Sequence, residues 1–166
     1  EITKNSESNY QKLLDQVRAE LAAIEGILAG KGEENVVGSV NAGDRIASVI
    51  TGSSCNSSGT HLHFMVQNNS GVQNPFSYLK SVDYDNDSGG DPFNPSGSWD
   101  WPIRPRIDFN QGYGKTWAIA NTWVKRIYSF HNGLDFNSSS DTSVYTPHSG
   151  ILYRGAFKGN CTLKYV

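Results

Sequence analysis

Between Gly59 and Val66 the chain reads Gly-Thr-His-Leu-His-Phe-Met-Val, an alternation that an extended strand sorts into two faces. On such a strand His61 and His63 share one face while Leu62 and Phe64 turn to the core. Two of the four histidines are spent here. Neutral imidazole is the commonest metal ligand, so two rings over one cleft begin a zinc site, although ordinary structural or exposed pairs share the pattern.

A second segment supplies the missing ligands. His131-Asn132-Gly133-Leu134-Asp135-Phe136 places a histidine and a carboxylate four residues apart, with Gly133 between them to permit a bend or close backbone approach. His63, His131 and Asp135 would hold Zn²⁺ with three protein ligands. That count leaves a fourth position for water, the arrangement of a catalytic rather than a closed structural site.

The surroundings of both segments carry further pattern. Trp101-Pro102, Gln111-Gly112-Tyr113-Gly114, His131 to Phe136, Val144-Tyr145-Thr146-Pro147 and Ser149-Gly150-Ile151-Leu152 follow one another in the C-terminal part. Val40-Asn41-Ala42-Gly43-Asp44-Arg45-Ile46, Gly52-Ser53-Ser54-Cys55, Gly59 to Val66 and Asn74-Pro75-Phe76-Ser77-Tyr78-Leu79 precede them. Together these motifs resemble the lysostaphin-type zinc endopeptidases, the LytM-like peptidoglycan hydrolases, over roughly residues 36–79 and 99–166. The resemblance implies a mainly β fold built on a LytM-like antiparallel sheet. It also implies His63, His131 and Asp135 as metal ligands, His61 as the catalytic group that takes the water's proton or hydrogen-bonds the oxyanion, and a peptidoglycan peptide as substrate.

The order of the motifs departs from the family. Residues 36–79 read as the back half of its domain and 99–166 as the front half, joined by a turn-rich linker at 80–98. Three arrangements account for this: a circular permutant closing within one chain, pieces of two tandem domains, or halves pairing between two chains. The permutant is favoured because each half lacks what the other provides. The family also implies a further catalytic histidine in a Tyr-x-His-like segment, for which this chain has no match; His148, flanked by Pro147 and Ser149-Gly150, reads as a turn residue.

Cys55 and Cys161 lie in regions that the family fold would bring to neighbouring strands. A disulfide would suit an extracytoplasmic location, periplasmic, cell-wall or secreted; two unpaired thiols are the alternative. The chain opens at Glu1 and not Met, and reads as a processed or trimmed product, with any export signal removed.

The N-terminus has a different period. From Ser6 to Ala29 apolar residues recur at Tyr10, Leu14, Val17, Leu21, Ile24 and Leu28, which predicts a helix with one apolar stripe, ended by Gly30 and Gly32. Residues 1–32 thus form a coiled-coil-like helix, and 6–29 offer a seam for a partner, for self-association or for the helix's own domain. Short strands are predicted at Val36–Val40, Arg45–Ile50 and Leu62–Gln67. In the linker, Asp83, Asp85 and Asp87 with Gly89 match the start of a calcium loop, but no glutamate follows at the twelfth position, and a solvated linker is the expectation. Trp117 and Trp123 flank a loop where the family has one wall of its substrate groove; core packing is the alternative.

A net charge of −2 with 18% charged residues gives no basic stripe for nucleic acid, and no apolar run is long enough to span a membrane. Two functions from other classes stand beside the hydrolase: an envelope adaptor of impaired activity that engages another cell-wall hydrolase through its helix, and a cell-surface module that binds glycan through its aromatics.

Overall fold

The computed structural model describes residues 4–166. It is mainly β, with an N-terminal helix and several antiparallel sheets. Helix α1, Lys4–Leu28, ends as its sequence demands. Gly30 adopts φ +70°, its N–H donates to the Ile27 carbonyl, and Lys31 N–H reaches back to Gly26. This is a Schellman closure, whose C′ residue must enter the left-handed region that glycine tolerates best.

The chain divides into two compact units. The first contains residues 1–38, 51–60 and 151–166; the second contains 39–50 and 61–150. Segment 51–60 falls in the same unit as α1 rather than with the strands that flank it. Gln16, buried on α1, donates through Nε2 to the carbonyls of Ser54 (2.6 Å) and Ser57 (3.0 Å). A disulfide between Cys55 and Cys161 closes a separation of 106 residues in the same unit.

In the first unit, β1 (Glu33–Val40), β10 (Gly150–Lys158) and β11 (Thr162–Tyr165) form a sheet in the order β1-β10-β11, and α1 packs against β11. The helix thus covers part of its seam within its own unit. Ala23, Ile24 and Gly26 are buried, and the Phe157 ring fills the space a side chain on Gly26 would occupy. Farther up α1, Tyr10 and Leu13 are exposed.

The second unit holds the main core. Its largest sheet has the order β3-β8-β7-β6, formed by Leu62–Phe64, Leu134–Asn137, Ile107–Gln111 and Tyr84–Asn86. β3 and β7 each run antiparallel to β8, while β6 joins β7 in parallel, so the sheet is mixed at that edge. β2 (Arg45–Ser48) pairs with β9 (Ser143–Tyr145), and β4 (Val66–Asn68) forms a hairpin with β5 (Gly71–Gln73). The strand expected over 62–67 breaks at Met65 into β3 and β4. Strands from before and after 80–98 therefore pair within one chain.

Alternation sets the faces. Ile107 and Phe109 on β7, and Leu134 and Phe136 on β8, are fully buried, while Asp108 and Asp135 lie on the opposite face. Phe76, Leu79, Trp101, Ile103 and Val144 complete the core, with Leu62 and Phe64 packed against it. Phe93 stacks on Trp101 at 5.4 Å and 12°. Each such aromatic pair adds about 0.5–1.5 kcal/mol beyond its buried area.

Residues 80–98 differ from a solvated linker. Asp87 N–H donates to Phe109 O and Ile107 N–H to Asp83 O, which stitches β6 to the main sheet. The acidic residues are separated in use: Asp85 pairs with Arg106, and Asp91 is buried at 5% exposure.

Candidate metal centre

Register builds the first half of the site. His63 on β3 lies directly opposite Asp135 on β8, flanked by the pairs Leu62–Phe136 and Phe64–Leu134. Directly opposed residues share a face, so the apolar pairs go to the core and the polar pair faces away from it. Nδ1 of His63 sits 2.7 Å from Oδ1 of Asp135.

His131 comes from the loop just before β8. Its backbone is fixed by a two-way bridge with Gly114, N–H to O at 2.8 and 2.9 Å. Its ring is buried, and Nδ1–H donates to the Gly112 carbonyl at 2.6 Å. A carbonyl has no proton to give, so the neutral ring carries its proton on Nδ1 and leaves Nε2 bare. That nitrogen lies 3.3 Å from Oδ2 of Asp135. The His63 and His131 rings meet edge to face, with centroids 4.9 Å apart.

Two imidazoles thus converge on one carboxylate. Burial pushes the Asp135 carboxyl up, but when the rings are protonated the charges of His131 and His63, and the hydrogen bonds they then donate, outweigh it and hold the group well below the usual carboxylate range. The ligand atoms of His63, His131 and Asp135 all lie within 4.8 Å of one another, a group that could hold a metal ion. Two nitrogens and a carboxylate are a donor set suited to zinc, which binds each at about 2 Å. The donors fit a shared cation: Nδ1 of His63 and Nε2 of His131 already address the same carboxylate.

Gly133 makes this convergence possible by leaving room for the His63 ring, the close approach its position in the motif allows. Nε2 of His63, on that side, is buried without a hydrogen-bond partner among the described residues.

His61 stands immediately before β3 and is half-buried; the three-residue cluster forms without it. His148 is exposed, its Nδ1–H donating to the carbonyl of Ser149 at 2.9 Å and its ring 5.3 Å from that of Trp99. Trp117 is partly exposed and lies against Gly89, and Trp123 is half-buried.

Two contributors carried no sequence signal of their own. The Gly112 carbonyl orients His131, and backbone acceptors are invisible in a residue pattern. Asp91 lies behind Gly112, yet in the sequence it reads as one acid among several in the linker. The chain has no match among protein-family models, curated proteins or solved structures.

Proposed function

We propose that this protein is a zinc-dependent endopeptidase that hydrolyses peptide bonds of bacterial peptidoglycan, with a LytM-like domain in permuted order. The observation that carries the reading is the convergence of His63 and His131 on Asp135, from two segments whose motifs resemble those of the lysostaphin-type enzymes. Pairing of β3 with β8 within one chain supports the permuted arrangement over one that needs a second chain.

In this reading His63, His131 and Asp135 hold the zinc. When bound, the ion supplies Lewis acidity, which polarises a carbonyl and makes water acidic near neutral pH. His131 is kept in the right tautomer by Gly112, and Asp135 stays ionised for the metal. His61, two residues from a ligand, accepts a proton or hydrogen-bonds the developing oxyanion. The Cys55–Cys161 disulfide supports an extracytoplasmic location, since such bonds persist in oxidising compartments.

The adaptor reading draws on a specific observation. His148, the one histidine outside the two motifs, is committed to a turn against Trp99, which leaves His61 alone to handle protons. Exposed Tyr10 and Leu13 on α1 offer that adaptor a surface for a partner helix.

Zinc titration of chelator-stripped protein, followed by release of new amino groups from purified peptidoglycan, separates these functions. Stoichiometric zinc with cleavage, and loss of cleavage but not of zinc in His61→Ala, is the expected result. Zinc without cleavage favours the adaptor, and the absence of zinc binding overturns the metal-centre reading itself.

A further inference from the structure

Behind the candidate metal centre runs a relay of hydrogen bonds that ends in a buried acid. Nδ1–H of His131 donates to Gly112 O at 2.6 Å, and the N–H of that same residue, Gly112, donates to Oδ2 of Asp91 at 2.8 Å. The other carboxylate oxygen of Asp91 accepts the N–H of Trp117. Asp91 is only 5% exposed.

The local chain is arranged to deliver this carboxylate. Asp91 N–H donates to Ser88 Oγ at 2.8 Å, and Asn86 Nδ2 donates to the Asp91 carbonyl at 3.0 Å. Ser88 is itself held by Asn86 Oδ1. Gly112 allows the approach, since a Cβ there would fall 3.2 Å from that of Asp91. A buried carboxylate is costly unless its oxygens are satisfied, and two backbone N–H groups meet that need.

We infer that Asp91 is the positioning residue of the metal centre: through Gly112 it fixes the orientation and tautomer of His131, so that Nε2 is presented to the metal. The inference rests on the metal-centre reading above. One effect follows from the geometry: anchoring Gly112 fixes where its carbonyl points, and so fixes the rotation of the His131 ring. Outer partners of this kind set ligand basicity and orientation in metal sites.

Asp91→Asn is the informative change. An amide has one oxygen and one donor head, so it can accept one of the two N–H groups while its NH₂ opposes the other. Because Asp91 also meets the start of the short helix at Trp117–Asn121, Thr116→Ala serves as the control. Thr116 caps that helix, accepting from Ile119 N–H, and its hydroxyl also accepts from Nε2 of Gln111, while Gly112 N–H is held by Asp91.

Two readouts apply to the full chain. Nitrogen-15 NMR of the His131 ring in metal-free protein at alkaline pH reports the tautomer, and zinc titration reports affinity. The parent should show Nδ1–H with bare Nε2. Asp91→Asn should mix the tautomers and weaken zinc binding by about 10–100-fold, the range typical of outer-partner changes. Thr116→Ala should match the parent in both.

A folded Asp91→Asn protein with parental tautomer and zinc affinity overturns the inference, as does an equal loss in Thr116→Ala. Should Asp91→Asn fail to fold, the parent decides alone: a proton on Nε2 of His131 contradicts it. If the parent binds no zinc yet its tautomer responds to Asp91→Asn, the metal-centre reading fails while the positioning role stands.

Discussion

Nε2 of His63 lies where a side chain on residue 133 would go: a Cβ on Gly133 would fall 2.7 Å from that nitrogen. It would also fall 2.7 Å from the carbonyl oxygen of Phe64, a backbone atom that cannot swing aside. Gly133→Ala must therefore displace the His63 ring, the strand that carries it, or both. We expect a stability loss of about 1–3 kcal/mol, as for overpacking in a close-fitted interior. Zinc affinity should fall with it, and urea denaturation with zinc titration checks both.

Asp135 gives the metal-free protein a pH signature. Its carboxyl is pushed up by burial but held well below the ordinary range by the stronger pull of His131 and His63. A carboxyl depressed in the folded state contributes stability above its unfolded value, about 3.9, and that contribution is lost as pH falls through the folded value. The metal-free parent should therefore lose stability progressively below about pH 4, while Asp135→Asn should lack this part of the acid slope. Urea midpoints taken across the acid range test it; parallel curves for the two proteins would contradict it.

The Cys55–Cys161 bond spans 106 residues, and a cross-link of that span removes much conformational freedom from the unfolded chain. Reduction should lower stability by roughly 3–5 kcal/mol. Comparing urea unfolding of the oxidised protein with that of the Cys55→Ser/Cys161→Ser double variant measures the difference without a reductant.

Gln16 makes a separate contribution to the same region. Its amide satisfies the carbonyls of Ser54 and Ser57 from a buried position on α1. Gln16→Leu keeps most of the volume but removes the donor, and should cost about 1–3 kcal/mol for the acceptor left unsatisfied. Thermal denaturation checks the loss, and faster proteolysis within 51–60 should accompany it.

The metal cluster was legible where chemistry coincides with a local period. Leu62, His63 and Phe64 alternate because β3 has a core face and an open face, and His131 to Asp135 announces itself by spacing. Helix α1 was equally plain, since its apolar steps and Gly30 speak through neighbouring residues alone. The surface that covers it was not, because the cover comes from β10 and β11, more than a hundred residues away.

Residues 80–98 were opaque for another reason. Glycine, serine and aspartate are turn formers, and composition alone does not distinguish a solvated turn from one whose side chains are recruited inward. Asn86 and Ser88 hold Asp91 through hydrogen bonds inside their own segment, and Asp91 reaches Gly112 in the loop after β7, a partner that no spacing within 80–98 records.

In the largest sheet β3 is an edge strand whose single neighbour is β8, and His63 meets Asp135 across 72 residues of intervening chain. Such pairing has high contact order, so loop closure must come before the contact rewards it. During synthesis, the strand bearing His63 emerges long before the strand that completes it. A nascent chain halted in the segment between them carries an unpaired edge, which makes the interval before β8 emerges the time of greatest exposure to misassociation.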